Sequence, residues 1–439
     1  MKKAIVTAAA VFLSFAVLSC SDVFGGSETQ GVAFTIPSLV PSNGTAGARA
    51  AGGASGGPWS IHAFLFGENA DPDQIKNFTN GQYVPPSADE AQNYKGLIQT
   101  VSRRGADLTR PQPLFFQRIK AKTKCFICVL VTYTSSDKTE HTVFYGISPH
   151  DVVQWGAVRN LFTGNFYTPD TGENDISVTL KKNESAPVYF ATQNGVGTID
   201  SYGNSTYSPQ ESTPYKPTHF YGYNTGAAME TGALYAGKAL RRNSVIILMD
   251  DIDTEIRISA SDKGLDYSVD FDSIPGKCCM LKASDFFISD NKYLSFTDLC
   301  IAGTKTPAGS GNVEVSAGCE LRLGGAVTLE DETKIQLEAG SSSLGQDGKI
   351  VITRPLADDV GDVIVRYQGS GATEEDLKKE AKAHVQTYPL LRDDSGANIH
   401  VSDVFGDEVK VEYASGVDRS FTARWKRLGG NSWVLEPED

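Results

Sequence analysis

The segment from residue 311 to 340, GNVEVSAGCELRLGGAVTLEDETKIQLEAG, alternates apolar and polar residues in very short bursts. An alternation of period two places every second side chain on the same face of a β-strand. Four apolar pairs each share such a face: Val313/Val315, Leu321/Leu323, Val327/Leu329 and Ile335/Leu337. Each burst has only three or four residues, which is shorter than a typical sandwich strand. The pattern therefore predicts short strands that bury one face by stacking on one another.

The bursts recur at about 20 to 23 residues, which is the length of one coil in a β-solenoid. Three correspondences follow: Leu299/Ile301 with Leu321/Leu323, Val313/Val315 with Ile335/Leu337, and Val327/Leu329 with Ile350/Ile352. In a solenoid each coil buries its inner face against its neighbours only. The sequence thus predicts two columns of parallel strands. A meandering antiparallel barrel is the alternative that this pattern leaves open.

The order of elements from Val188 onward adds a resemblance. An aromatic stretch, VYFATQNGVGT, is followed by a helical pattern over residues 226–242 and then by SVIILMDDI. This order resembles the start of right-handed parallel β-helix domains in bacterial surface proteins, where an aromatic strand and a capping helix cover the first coil. The segment from Asn194 to Thr198 departs from that pattern because such proteins usually carry more Asp and Gly there. The resemblance implies a β-helix-like domain with an N-terminal cap over residues 183–365.

The first twenty residues have the pattern of an export signal. Lys2 and Lys3 precede an apolar stretch over residues 4–18, which is too short for a typical transmembrane helix. The sequence AVLSC, ending at Cys20, resembles a bacterial lipoprotein lipobox, although Leu18 stands where a small residue is commoner. The resemblance implies that Cys20 is lipidated and that the membrane is a partner through this anchor. It also implies a cell-envelope location, with outer membrane and cell surface expected; a plain cleaved signal is the alternative.

The rest of the chain divides by composition. Residues 21–58 are rich in Gly, Ala and Ser and predict a flexible tether, with one candidate strand at 32–40. Residues 59–182 carry short strand patterns separated by polar turns, which predict an antiparallel sandwich similar to Ig-like or transthyretin-like modules. Residues 366–439 predict a C-terminal α+β cap, with a helix over 373–388 and a hairpin turning at Gly429–Gly430. The expected fold class is therefore all-β, or mainly β.

Charge and cysteine usage narrow the function classes. The formal charge of −13 supplies no cationic surplus for nucleic acid. The CFIC motif lies in a strand pattern, so Cys125 and Cys128 face opposite ways and do not form the helix-terminal pair of a redox site. They are predicted to be structural thiols or disulfide halves. For the remaining cysteines, core packing and one or two bridges both stay open: Cys278, Cys279, Cys300 and Cys319.

Two stretches carry candidate ligand-binding residues. Aromatic residues set among Gly, Ser, Asn and Pro are suited to contact with a glycan or a protein: Tyr202, Tyr207, Tyr215, Phe220, Tyr221 and Tyr223. The alternative is that these rings seal the solenoid or a domain junction. Asp251, Asp253 and Glu255 form a weak calcium candidate, with a solvated strand face as the alternative. We nominate no catalytic set, no cofactor and no further metal site.

These observations predict a lipid-anchored, non-catalytic envelope protein that serves adhesion or structural display through exposed loops. Two alternatives remain. One is a carbohydrate-active enzyme, a polysaccharide lyase or glycosidase, built on the β-helix. The other is a binding lipoprotein that faces the periplasm.

Overall fold

The computed structural model is mainly β and describes the following residues: 29–37, 39, 57–79, 84–108, 110–149, 153–155, 160–162, 167, 176–178, 180–183, 185–192, 220–222, 244–248, 251–260, 268–273, 278–288, 293–305, 310–330, 332–340, 347–356, 359–397, 399–413 and 419–438. No helix within these ranges is long and apolar enough to cross a bilayer.

The described residues of the N-terminal unit form ten strands: β1 Thr29–Ile36, β2 Trp59–Gly67, β3 Leu97–Arg104, β4 Gln112–Lys120, β5 Cys125–Thr134, β6 Glu140–Ser148, β7 Val153–Trp155, β8 Asn160–Phe162, β9 Ile176–Ser177 and β10 Lys181–Lys182. It also contains α1 (Pro72–Ile75), a 3₁₀ turn (Lys76–Phe78) and α2 (Ala88–Ala91). One sheet has the order β4-β1-β9 and a second has the order β10-β6-β5-β2-β3, while β7 and β8 pair with each other.

Strand β5 is the middle strand of the five-stranded sheet, and both of its faces are covered. Cys125, Ile127 and Val129 face the core shared with the β4-β1-β9 sheet. Cys128 and Leu130 face a second core, which lies under the two short helices. The two cysteines of CFIC therefore point to opposite faces, as predicted. The unit is thus a pair of sheets with a helical layer over the outer face of the larger one.

The predicted tether contains a structured strand. β1 pairs antiparallel with β4 and buries Val32, Phe34 and Ile36 in the core between the sheets. The candidate strand of the sequence analysis is real, although it spans Thr29–Ile36 and begins three residues earlier than expected. The described part of the fold therefore starts at Thr29, nine residues after Cys20.

In the described part of the chain after Val188, eighteen further strands form one continuous sheet system: β11 Val188–Thr192, β12 Phe220–Gly222, β13 Ser244–Leu248, β14 Ile252–Ala260, β15 Val269–Ser273, β16 Cys279–Ile288, β17 Tyr293–Thr297, β18 Leu299–Gly303, β19 Val313–Val315, β20 Glu320–Gly325, β21 Thr328–Glu330, β22 Ile335–Ala339, β23 Lys349–Leu356, β24 Val363–Tyr367, β25 Leu391–Asp393, β26 Glu408–Glu412, β27 Ser420–Gly429 and β28 Ser432–Pro437. Two helices accompany them, α3 (Glu374–Thr387) and α4 (Val401–Phe405).

The strands from β13 to β24 pair in parallel with strands one coil away, not with their neighbours in sequence, whereas β11 pairs in parallel with both β12 and β13. One column runs β13-β15-β17-β20-β23-β25, a second runs β14-β16-β18-β21, and a third runs β16-β19-β22-β24-β26. In the first column Leu294 pairs with Leu321, and Leu321 pairs with Ile350. These parallel ladders contradict the meandering antiparallel barrel that the sequence left open.

The register differs from two of the three predicted correspondences. Val313/Val315 pair with Ile335/Leu337, as predicted. The pair Leu321/Leu323 is matched with Leu294/Phe296 and Ile350/Ile352, whereas Ile301 is matched with Leu329. The reason is that the strands form three columns and not two, so the coils β17–β19 and β20–β22 each contain three short strands. A burst pattern fixes which residues face inward, but it does not say which side of the coil a burst occupies.

The inward side chains of all three columns form one apolar core that extends from Ile246 in β13 to Leu435 in β28. At its C-terminal end, β25 pairs in parallel with β23 and antiparallel with β28. The hairpin β27–β28 turns at Gly429 and Gly430, both with positive φ, as predicted. Helix α3 begins after Thr373, whose side chain accepts the Asp376 N–H at 3.1 Å.

Candidate functional site

Most of the predicted ligand-binding aromatics lie outside the described residues, as does the predicted helix over 226–242. Tyr202, Tyr207, Tyr215 and Tyr223 belong to this group, together with Cys20. Phe220 and Tyr221 belong to β12, which pairs in parallel with Phe190–Thr192 of β11. The structure therefore places two of the six in a strand and leaves the grouping of the six as a prediction.

The acidic stretch before and within β14 is likewise only partly described. Asp251 is exposed, and its Oδ1 accepts the backbone N–H of Met280 at 2.8 Å. Asp253 and Glu255 lie in β14, where the register with β16 shifts between Ile252 and Ile256. Within the described ranges no three His, Cys, Asp or Glu side chains converge to hold a metal ion. The side chains of Asp253 and Glu255 lie outside the part of the structure that is described, so the calcium candidate stays a prediction.

The most unusual chemistry lies where the N-terminal unit meets the parallel stack. We call this group the carboxylate cluster: Tyr133, Ser136, Asp270, Asp272, Arg322 and Arg354. Strand β15 turns Val269 and Phe271 into the apolar interior, and its alternation turns Asp270 and Asp272 outward. Both carboxylates are nevertheless buried, with relative exposures of 3% and 0%. The end of β5 and the residues after it cover them.

Each buried carboxylate accepts hydrogen bonds from the N-terminal unit. The Tyr133 hydroxyl donates to Asp272 Oδ2 at 2.7 Å, and the Ser273 N–H donates to Asp272 Oδ1 at 2.8 Å. The Ser136 N–H and hydroxyl donate to the two oxygens of Asp270, each at 2.6 Å. The contacts from Tyr133 and Ser136 join residues that lie 139 and 134 positions apart in the sequence. Together these hydrogen bonds satisfy both carboxylates, as burial requires.

The cationic partners come from later coils of the same column. Arg322, on β20, stacks its guanidinium 3.7 Å from the ring centroid of Tyr293, and its Nη1 lies 3.4 Å from Ser136 Oγ. It also donates from Nε and Nη2 to Glu320 Oε2, at 3.0 and 2.9 Å. Arg354, at the end of β23, acts electrostatically on Asp272. The cluster thus contains both signs of charge, with the two carboxylates buried and the Arg322 side chain 18% exposed.

Burial dominates the proton equilibria of this cluster. It raises the pKa of Asp272 to about 8; the neighbouring Asp298 carboxylate adds to the rise, while Arg354 and the Tyr133 hydroxyl oppose it. Burial also raises the pKa of Asp270, against the hydrogen bonds from Ser136. Two carboxyl groups with raised pKa values on one strand are the kind of pair that acid–base chemistry uses. Their closure under the N-terminal unit favours a structural contact between the two units.

A second polar constellation crosses the β3-β2-β5-β6 face of the N-terminal unit. His62 Nδ1 lies 2.9 Å from Ser102 Oγ, and His62 Nε2 lies 3.0 Å from Glu140 Oε1. The hydrogen bond with His62 is the largest cause that lowers the pKa of Glu140, and Thr132 donates to the same carboxylate oxygen at 2.5 Å. The set of serine, histidine and carboxylate matches a hydrolytic triad in residue type. The serine here is bonded through Nδ1, however, whereas the histidine of a chymotrypsin-type triad holds its serine through Nε2. We interpret the constellation as a polar contact at the margin of the second core.

A third constellation lies at the end of α3. His384 Nε2 is 3.0 and 2.8 Å from the two carboxylate oxygens of the buried Asp347, which also accepts the Gly340 N–H. The His384 ring stacks on Tyr388, with ring centroids 4.4 Å apart, and lies 5.3 Å from Tyr367. This hydrogen-bonded contact and the ring stack hold α3 against the loop after β22, so they account for the position of the helix.

The cysteines are core residues. Cys125 and Cys128 are buried free thiols, so the disulfide alternative is wrong for them. The other four are also buried: Cys278, Cys279, Cys300 and Cys319. The Cys278 thiol donates to the Ala326 carbonyl at 3.2 Å, and the Cys279 thiol lies 3.6 Å from the Leu248 carbonyl. Core packing is thus the interpretation that these contacts support.

Comparison with known family models, with curated protein sequences and with solved structures finds no match to this chain. No sequence motif predicted the carboxylate cluster. Its local signal was the VDFDS pattern of β15, in which Asp alternates with apolar residues inside a strand. Such a pattern ordinarily indicates a solvated face, and the residue that covers it, Tyr133, is 139 positions away.

Proposed function

We propose that this chain is a lipid-anchored cell-envelope protein that acts in adhesion or structural display and is not an enzyme. In this proposal the N-terminal unit is an Ig-like or transthyretin-like sandwich. The stack from β11 to β24 is a short parallel β-helix, and the elements from α3 to β28 are its C-terminal cap. The anchor is Cys20, and the surfaces that meet a glycan or protein partner are exposed loops, including the aromatic segment with Tyr202, Tyr207 and Tyr215.

The observation that carries the proposal is the continuous apolar interior from β13 to β28. A stack whose inner face is filled by aliphatic and aromatic side chains is a stiff support, because each coil is held by its neighbours along the whole length. The carboxylate cluster adds to this stiffness, because it fixes the N-terminal unit to the flank of the stack. A rigid two-unit body on a lipid anchor is suited to presenting loops away from a membrane.

Two measurements on cells test the proposal. We expect wild-type protein to incorporate a clickable palmitate analogue and the Cys20→Ser variant to incorporate none. We expect proteinase K to digest the protein on intact cells. Equal labelling of both forms contradicts the anchor, and protection until the outer membrane is permeabilised favours the alternative of a periplasm-facing binding lipoprotein.

A screen of the chain from Ser21 onward against glycan and matrix-protein arrays tests adhesion, since this chain retains every described residue. We expect saturable binding that is reduced by the joint change of Tyr202, Tyr207 and Tyr215 to serine. Binding that the triple variant retains in full contradicts the assignment of the aromatic segment.

A carbohydrate-active enzyme is the second candidate, and one observation favours it. Asp270 and Asp272 stand next to each other on the outward face of β15, beside Arg322, in a column of parallel strands. Hydrolysis or elimination at a glycosidic bond needs such carboxylates or cations beside the scissile bond. Their burial under Tyr133 and Ser136 opposes this candidate. Release of reducing or unsaturated ends from envelope or host glycans, abolished by Asp270→Asn, is the result that would favour it over display.

A further inference from the structure

The hairpin tip between β4 and β5 carries a concentration of positive charge that contrasts with the rest of the chain. Residues 118–124 read RIKAKTK, and this stretch has no acidic residue in a protein with a formal charge of −13. Its four cations, Arg118, Lys120, Lys122 and Lys124, are all exposed, while Ile119 is buried. We call residues 118–124 the basic hairpin.

A fifth exposed cation adjoins the basic hairpin. The Gly67 N–H donates to the Gly96 carbonyl at 3.0 Å, which brings Lys95 to the end of β2. Glu68, the residue after β2, lies 3.5 Å from Lys124 Nζ and is itself mostly exposed. One acid therefore partners one lysine of the hairpin. The nearby acid Asp73 is paired with its own lysine, Lys76, at 3.3 Å.

The basic hairpin lies where the N-terminal segment joins the fold. Thr29, the first residue of β1, pairs with Lys120. Cys20 stands nine residues before Thr29, and a fully extended chain of that length spans about 30 Å. A lipid on Cys20 therefore keeps the hairpin within about 30 Å of the bilayer surface, whatever path those residues take.

An exposed aromatic ring lies beside the same end of the fold. Phe115, on β4, is 47% exposed and covers the backbone of Gly31, two residues after Thr29. A Cβ atom at Gly31 would lie 2.0 Å from Phe115 Cζ, so the glycine leaves room for the ring. An aromatic side chain next to clustered Lys and Arg is the combination that peripheral membrane surfaces use.

We propose that the basic hairpin, together with Lys95 and Phe115, rests on the anionic lipid surface of the membrane that holds the Cys20 anchor. The inference deepens the proposed function and rests on it for the position of the anchor. Anionic headgroups attract cations that lie within a Debye length of the surface. The contact sets the orientation of the protein: the β4–β5 end faces the bilayer. A soluble anionic polysaccharide fits the charge as well, but the junction with the anchor segment and the exposed ring favour the membrane.

Co-sedimentation with vesicles tests the proposal, using the chain from Ser21 onward so that no lipid anchor contributes. We expect binding to vesicles with 40% phosphatidylglycerol, little binding to pure phosphatidylcholine, and loss of binding as salt is raised from 0.05 to 0.5 M. Lys120→Gln, Lys122→Gln and Lys124→Gln combined should weaken partitioning about a hundredfold, at about fivefold per charge. The matched control changes the exposed Lys305, Lys378 and Lys379 to Gln and is expected to bind as the wild type does.

Three results would overturn the proposal: equal binding to neutral vesicles, equal loss in the two triple variants, or binding to soluble dextran sulfate without binding to anionic vesicles. The last result would assign the hairpin to a polysaccharide. The palmitate experiment at Cys20 separates this inference from the proposed function. If Cys20 carries no lipid but the chain still binds anionic vesicles, the membrane-binding hairpin stands and the lipid anchor is wrong. If Cys20 is lipidated but the chain from Ser21 onward does not bind the vesicles, the anchor stands and the membrane-binding hairpin is wrong.

Discussion

Replacing Tyr133 with phenylalanine removes the hydroxyl that joins the N-terminal unit to Asp272. The ring itself stays, and with it the edge-on contact with Trp59, whose centroid lies 5.1 Å away. What is lost is one donor to a carboxylate that is 0% exposed, at a hydrogen-bond length of 2.7 Å. A buried acceptor that loses its donor costs about 1–3 kcal/mol, and part of this is offset because the tyrosine hydroxyl is no longer buried. We expect a loss of about 2 kcal/mol.

Hydrogen exchange followed by mass spectrometry measures this loss in the two units separately. Since about 1.4 kcal/mol corresponds to a factor of ten, a loss of about 2 kcal/mol speeds exchange about thirtyfold. We expect the acceleration in peptides that cover β5 and also in peptides that cover β15, because the hydrogen bond joins these two strands. Urea unfolding of the whole chain is a poorer assay, because a chain with three cores need not unfold in one step.

Tyr293→Phe is the matched control on the same cluster. The Tyr293 hydroxyl is buried and makes no hydrogen bond of ordinary geometry with any described residue. The guanidinium of Arg322 stacks on the Tyr293 ring and does not need the hydroxyl. Its removal leaves no acceptor without a donor, so we expect a change within about 0.5 kcal/mol of the wild type, or a slight gain. Equal acceleration of exchange in the two variants, or an effect of Tyr133→Phe confined to β5, would show that the Tyr133–Asp272 hydrogen bond does not join the two units.

Three further outcomes are expected. The pKa of Asp272 in the folded protein, about 8, lies above its unfolded value near 4, so the stability it contributes is complete below about pH 4 and is lost as the pH rises through about 8. In thermal melts from pH 4 to 9, the melting temperature should therefore fall less steeply for Asp272→Asn than for the wild type. Equal slopes would count against the assignment. Phe296→Ala, which opens a cavity beside Phe271 in the stack, should lower stability by about 3–5 kcal/mol, whereas the exposed Leu428→Ala should change it by less than about 0.5 kcal/mol; similar melting temperatures for the two variants would contradict a filled interior. Burial raises the pKa of Cys125 to about 12, so this thiol should resist maleimide at pH 8 until the chain is unfolded, and prompt labelling of the native protein would contradict its burial.

Local alternation was a sufficient guide wherever a strand buries one face. It predicted that Val313 and Val315 face inward and that Cys125 and Cys128 face opposite ways. The paired glycines, a separate local signal, predicted the turn at Gly429. Each of these depends on geometry within a few residues, since side chains alternate along every strand. The mainly β composition of the fold follows from the same signal.

The column assignments and the carboxylate cluster depend on contacts that no local pattern contains. Several apolar pairs lie about one coil length from Leu321 in the sequence. Periodicity alone therefore does not identify Leu294 as its partner. Asp270 and Asp272 have the pattern of a solvated strand face. Only the docking of Tyr133 and Ser136, which belong to another unit, makes them buried.

If the strands after β13 stack in parallel coils, Glu314 in β19 and Lys410 in β26 lie close together in space, and a measured distance between them tests this arrangement. These residues occupy the outward positions of one column, three inter-strand steps apart, which corresponds to about 14 Å between Cα atoms. Spin labels on Glu314→Cys and Lys410→Cys should show strong dipolar broadening in frozen-solution EPR spectra. An antiparallel meander in which consecutive strands pair would separate them by seven steps, or about 34 Å. Spectra without broadening would contradict the account.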